Sequence, residues 1–144
     1  MEGKTVKQKI EKDEHGNQIL QNGFHSTHFV DENINGDICV SDVNAYMVVV
    51  VGKTGKVRFR YYGTSAGMVN PFQPKQIVTD SMGQIIVADN NNACLHILHQ
   101  NGQFLRCVDN CGLEKPCGLS VDSEGRLWVG CPQSGNVKVI QYMK

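Results

Sequence analysis

The sequence predicts an all-β fold, and three of its features do so. Its apolar segments are short and bounded by Gly, Asn and Asp, as strands between tight turns are. No stretch keeps a helical apolar period over several turns. One motif returns: GDICVSD at 36–42, GQIIVAD at 83–89 and GRLWVGC at 125–131. The leading glycines lie 47 and then 42 residues apart, a period at which repeats build solenoids and propellers.

Each period reads as four strands. In the second copy they span 76–79, 84–88, 93–99 and 103–108. The breaks at 80–83, 89–92 and 100–102 hold Asp, Asn and Gly, which tolerate positive φ or cap the backbone with a side-chain oxygen. Lys53-Thr54-Gly55 repeats this last turn 47 residues before Gln100-Asn101-Gly102. Asp31, Asp80 and Asp122 close the short segments HFVD, IVTD and LSVD. A carboxylate recurring once per copy at a turn reads as a structural cap on the hairpin between the first two strands.

The second strand decides the architecture. Ile85 and Val87 face one side and Ile86 and Ala88 the other; Leu127 and Val129 oppose Trp128 and Gly130 in the same way. Sheets with two apolar faces are covered on both. Four-stranded sheets stacked around an axis, a β-propeller, meet that demand, with a jelly roll or open sandwich as the competing arrangement.

The copies resemble NHL repeats, through PKQIVTDSMGQIIVADNNNACLHILHQNGQF at 74–104 and PCGLSVDSEGRLWVGCPQSGNVKVIQYMK at 116–144. The resemblance implies an NHL-type propeller like the one that ends tripartite-motif ubiquitin ligases, and a recognition role with it. Many NHL blades place an Arg at the start of the third strand. Here Met47, Cys94 and Asn136 stand there, and the turn Asp becomes Cys131 in the last copy. An Arg-based network between blades is therefore not carried over. RING, B-box and coiled-coil segments have no counterpart in the chain, so ligase activity is not expected of it.

Residues 1–15 read as a polar N-terminal arm and 16–144 as the propeller segment, with copies at about 24–62, 72–109 and 115–144. The last copy stops before its fourth strand. Residues 17–21, after His15-Gly16, resemble the fourth strand that follows Asn101-Gly102. Propellers close with about four to eight blades, and this chain supplies three. A six-bladed homodimer is expected, each 17–21 strand completing the partner's last blade and removing its open edge. A fragment with open edges is the alternative.

Fourteen basic and fourteen acidic residues cancel, so no overall field draws nucleic acid or membrane, and neither DNA nor membrane is an expected partner. The N-terminus lacks the apolar stretch of a signal peptide, and the apolar run 47–51 is too short to span a bilayer. Six cysteines in such a chain read as reduced thiols, and a cytoplasmic location is expected.

Catalytic chemistry finds little support. His25/His28 and His96/His99 are spaced three apart, which in a strand sends them to opposite faces; His96 reads as packing between blades. Cys107, Cys111 and Cys117 lack the tight pairs of a zinc site. Ser120 and Ser134 have no nucleophile-elbow context, and there is no Gly-rich phosphate loop. No catalytic residue, cofactor or metal is expected.

Binding is easier to place. Loops between the second and third strands, and between one blade's fourth strand and the next blade's first, share a propeller rim. They carry Asn44, Asn90, Asn91, Tyr61, Tyr62, Asn70, Phe72, Lys75 and Lys115. Aromatics beside amides and a few cations suit a peptide or single-stranded RNA. The competing reading has Tyr61 ending a strand and Phe72 packing under its own loop. Arg58 and Arg60 read as solvated on an outer strand. The expected function is non-catalytic recognition of a protein or RNA target, protein favoured by the neutral charge. The alternative is a metal-dependent, lactonase-like hydrolase or lyase. It needs carboxylates and His at the central channel, where the first strands place mostly Ile, Thr, Leu and Val.

Overall fold

A computed structural model describes residues 5–23, 27–109 and 112–143; His25, Cys111 and Lys144 lie outside the described residues. β1 (His28–Glu32), β2 (Ile38–Asp42), β3 (Met47–Val51) and β4 (Val57–Tyr61) form one antiparallel sheet in that order. β5 (Pro74–Thr79), β6 (Ile85–Asp89), β7 (Cys94–Leu98) and β8 (Phe104–Val108) form a second. β9 (Gly118–Val121), β10 (Leu127–Cys131) and β11 (Asn136–Ile140) make a third, of three strands. Thr64–Ala66, a single 3-10 turn, is the only helical element among the described residues.

Burial follows from the stacking of these sheets. Cys39, Val48 and Val50 of the first pack against Ile77, Ile85, Val87 and Leu98 of the second. The intervening residues Ile86, Ala88, Leu95 and Ile97 pack against Leu119, Leu127, Val129 and Ile140 of the third. Successive residues of β6 and β7 thus serve opposite neighbours, as a period of two requires. This is the β-propeller arrangement, three blades stacked face to face. On the outer face of the third blade Trp128, Val137 and Val139 are left 41%, 64% and 47% exposed among the described residues.

The inner hairpins are held by side-chain caps. Asp80 Oδ1 accepts from the N–H groups of Met82 (3.0 Å) and Gln84 (2.9 Å), and Asp122 Oδ1 from those of Glu124 and Arg126 (both 2.9 Å). In the first blade Asn33 holds this position, accepting from Ile34 N–H at 2.8 Å. Asp31 corrects the sequence reading: it lies in β1 and accepts from the Thr79 N–H (2.8 Å) and hydroxyl (3.1 Å) of β5. It is a tie between blades, not a turn cap. Counting back three from the turn glycines Gly36, Gly83 and Gly125 gives Asn33, Asp80 and Asp122; HFVD matches IVTD only in letters.

The segment before β1 doubles back through a turn in which Asp13 Oδ1 accepts from His15 and Asn17 N–H, both at 2.9 Å, with Lys12 bridged to Gln18. Ile19 is buried on Met47, Val49 and Val51, Gln21 N–H donates to Asp42 at 2.7 Å, and Asp13 pairs with Arg60 at 3.2 Å. Residues 17–21 therefore cover the outer face of the first blade, much as β4 overlies the second. The β4 contact is close at Gly102: with φ 97°, a Cβ there would stand 2.8 Å from the Phe59 ring.

Candidate functional site

The rim is built from the β2–β3 and β6–β7 turns and the loop from β4 to β5. That loop turns at Gly63, whose φ of 79° brings the backbone against Phe72; a Cβ would meet the Phe72 side chain at 2.6 Å. Asparagines then clamp it. Asn92 donates to Asn70 O (3.0 Å) and to Asp89 (2.8 Å), and its Oδ1 accepts from Asn70 N–H (3.0 Å). Asn70 donates to Asn91 O and Asn91 to Pro71 O, both at 3.1 Å.

Between the clamped loop and the β2–β3 turn lies a groove of about 590 Å³ lined by Ala45, Tyr46, Tyr62, Met68, Val69 and Asn70 among others, none of them charged. Tyr46, Tyr62 and Val69 are 52%, 51% and 97% exposed. An apolar surface held open by hydrogen-bonded backbone is preorganised for a partner. A larger crevice of about 680 Å³ runs between the N-terminal turn and β4. It is charged, and Asp13 and Arg60 pair across it. Arg58 is also engaged, by Asp37 and by Asn101 (2.7 Å).

The sequence candidates divide. Tyr62 and Asn70 line the groove; Asn44 is exposed in the β2–β3 turn. Tyr61 and Phe72 require correction: they are buried, 5% and 6% exposed, because β4 and the following loop turn both rings in between the first two blades. Only part of Phe72 touches the groove. Asn90 and Asn91 spend their amide donors bracing Pro116 O (3.4 Å) and Pro71 O. Lys75 is half-buried in β5 and Lys115 exposed before β9, and neither lines the groove. Tyr46, Met68 and Val69 were missed. The available signal was an apolar pair in a Gly-rich loop, and a Tyr at the turn position occupied by Ala93 one copy later; both take positive φ, 58° and 52°.

Beneath the rim, a polar knot fills the gap between the first two blades. His96 is fully buried; Tyr61 Oη lies 2.6 Å from its Nδ1 and Asp89 2.8 Å from its Nε2. Burial pushes the Asp89 carboxyl up, but hydrogen bonds from His96, Asn92 and the Gln73 N–H outweigh it and hold the group below its ordinary value. With Asp89 ionised, Nε2 carries the ring proton and Nδ1 accepts from Tyr61. Cys94, His96 and Cys107 each offer a donor atom within 4.8 Å of the others. The Cys94 thiol is pushed up, first by its hydrogen bond to Cys107 and then by burial, while the same bond pulls Cys107 down. The five described cysteines are all free thiols.

Known proteins share both the repeat and the architecture. Residues 73–98 match the NHL repeat. Over 113 residues the chain is 27% identical to the protein brain tumor of Drosophila melanogaster, covering 77% of the chain and 11% of that protein. Among solved structures, a virginiamycin B lyase from Staphylococcus aureus, catalytically inactive and with quinupristin, superimposes with a TM-score of 0.65 at 17% identity. That match covers 87% of this chain and 44% of the lyase. A streptogramin B lyase gives 0.60 at 16% identity, over 78% of this chain and 39% of that one. The chain thus spans about a tenth of the fly protein and about two fifths of the lyases. The repeat match, the fly relative and the stacked blades support an NHL-type β-propeller.

Proposed function

We propose that this chain is part of a non-catalytic recognition module that binds a protein partner in the rim groove, as the substrate-recognition part of a cytoplasmic tripartite-motif-like protein. The groove carries the reading: Tyr62 and Val69 are exposed on a loop that asparagine hydrogen bonds fix, and Tyr46 is exposed on the β2–β3 turn across from it. Exposed aromatics in a preformed concavity are the usual anchors of a protein interface. No cation lines the groove, whereas RNA binding draws most of its affinity from neutralised phosphates. That favours a peptide segment over single-stranded RNA. The hydrolase or lyase alternative is less favoured, since the repeated carboxylates Asp31, Asp80 and Asp122 are each engaged by hydrogen-bond donors.

Parallel selections test this, one from a random peptide display library and one from a random single-stranded RNA pool. The proposal expects enriched peptides with an aromatic or aliphatic anchor, whose binding is lost in Tyr62→Ser. Enrichment of RNA alone, or of peptides indifferent to Tyr62→Ser and Val69→Ser, would overturn it.

A further inference from the structure

Three soft or borderline donors meet between the first two blades in a way their spacing in sequence hides. Cys94 and His96 sit two apart on β7 and so share a face, the face toward the first blade. Cys107 on β8 pairs directly with His96. The three donor atoms lie within 4.8 Å of one another. In a tetrahedral zinc site the bond lengths put donor atoms about 3.5–3.8 Å apart, so rotation of the two thiols by roughly an ångström closes the set. Tyr61 Oη, 2.6 Å from His96 Nδ1, stands at the edge of this set.

We propose that Cys94, His96 and Cys107 bind one Zn²⁺ ion, with a water molecule at the fourth position. Charge favours this: two thiolates and a neutral imidazole cancel the ion, leaving a neutral unit in a buried place. The outer shell favours it as well. Asp89 holds Nε2–H of His96 at 2.8 Å, the carboxylate–histidine pairing that orients a metal-binding imidazole and turns the other nitrogen to the metal. Binding releases the two thiol protons to solvent, and the Tyr61 hydroxyl keeps its proton and turns it from Nδ1 to the zinc-bound water. Cys107 is half-buried, and the ion enters on its side. The site would pin the outer strand β8 to β7 and both to the first blade, independently of what the rim binds.

The whole chain, made under reducing conditions with added zinc and dialysed against metal-free buffer, should retain about one zinc per chain by elemental analysis. Co²⁺ added to metal-free protein should give thiolate-to-cobalt charge-transfer absorption and tetrahedral d–d bands. Both signals should vanish in Cys107→Ser and persist in Cys117→Ser. Asp89→Asn should bind about 10- to 100-fold more weakly. The wild-type spectrum stands even where Cys107→Ser fails to fold. Wild-type protein that retains no zinc and shows no cobalt–thiolate band overturns the proposal, as does a band that survives in both Cys107→Ser and His96→Gln.

Discussion

Tyr61 and His96, one on each of two adjoining blades, share a hydrogen bond of 2.6 Å in a place closed to solvent. Burial first, then the neighbouring Cys107 and Asp89, push the Tyr61 hydroxyl well above its ordinary range, so it stays protonated and donates. Tyr61→Phe keeps the ring and leaves Nδ1 of a buried imidazole without a partner. An orphaned buried group of this kind costs about 1–3 kcal/mol. The urea midpoint of the metal-free protein should fall with an unchanged m-value; an unchanged midpoint would mean that the bond contributes nothing to blade packing.

Asp122 ties its turn to the only tryptophan: Trp128 Nε1–H donates to Oδ2 at 2.8 Å, and Arg126 reaches the same oxygen at 2.9 Å. The Trp128 bond, then the Arg126 N–H, hold the carboxyl far below its usual range. A depressed folded-state value stabilises the protein fully above the unfolded pKa of about 3.9, and the benefit fades as pH falls toward the folded value. Urea unfolding followed by Trp128 fluorescence should therefore show Asp122→Asn less stable than wild type at neutral pH, the gap narrowing below about pH 4. A gap independent of pH would contradict this origin.

Asn92 closes the rim clamp with three hydrogen bonds of 2.8–3.0 Å to Asn70 and Asp89. Asn92→Ala should leave the blades folded, lower stability by about 1–2 kcal/mol and speed amide exchange across 62–72. Exchange unchanged in that loop would show that the clamp is not what holds the groove.

The blade pattern was legible because β6 carries apolar residues on both faces and buries both, which leaves few other architectures, whereas β10 buries only its Leu127 and Val129 face. The register of the turn caps was partly legible: Asp80 and Asp122 could be read from their glycines, but HFVD shares its closing Asp with IVTD, while the equivalent Asn33 makes a single bond to the Ile34 N–H. The rim was read in kind but not in detail. Whether Tyr61 or Tyr62 points outward depends on a bulge between Val50 and Val51 that shifts the β3–β4 register. Composition cannot show it. The Cys94–His96–Cys107 cluster was hidden for a similar reason, since only the β7–β8 pairing brings residue 107 beside 96.

The apolar ends of the stack bear on the expected homodimer. Trp128, Val137 and Val139 are exposed on the third blade, and Val30, 62% exposed, on the first. We propose that a second copy joins these ends head to tail. Light scattering should give twice the chain mass at micromolar concentration, reverting to the monomer in Val137→Lys. A wild-type monomer at that concentration would rule the ring of two chains out.

The affinity of a selected peptide for wild type and for Tyr62→Ala, measured by titration calorimetry, tests the recognition role most directly. The groove account predicts a loss of about tenfold or more, the mark of an anchor residue, with weak dependence on salt. Equal affinity for the two proteins would place the binding surface elsewhere and contradict it.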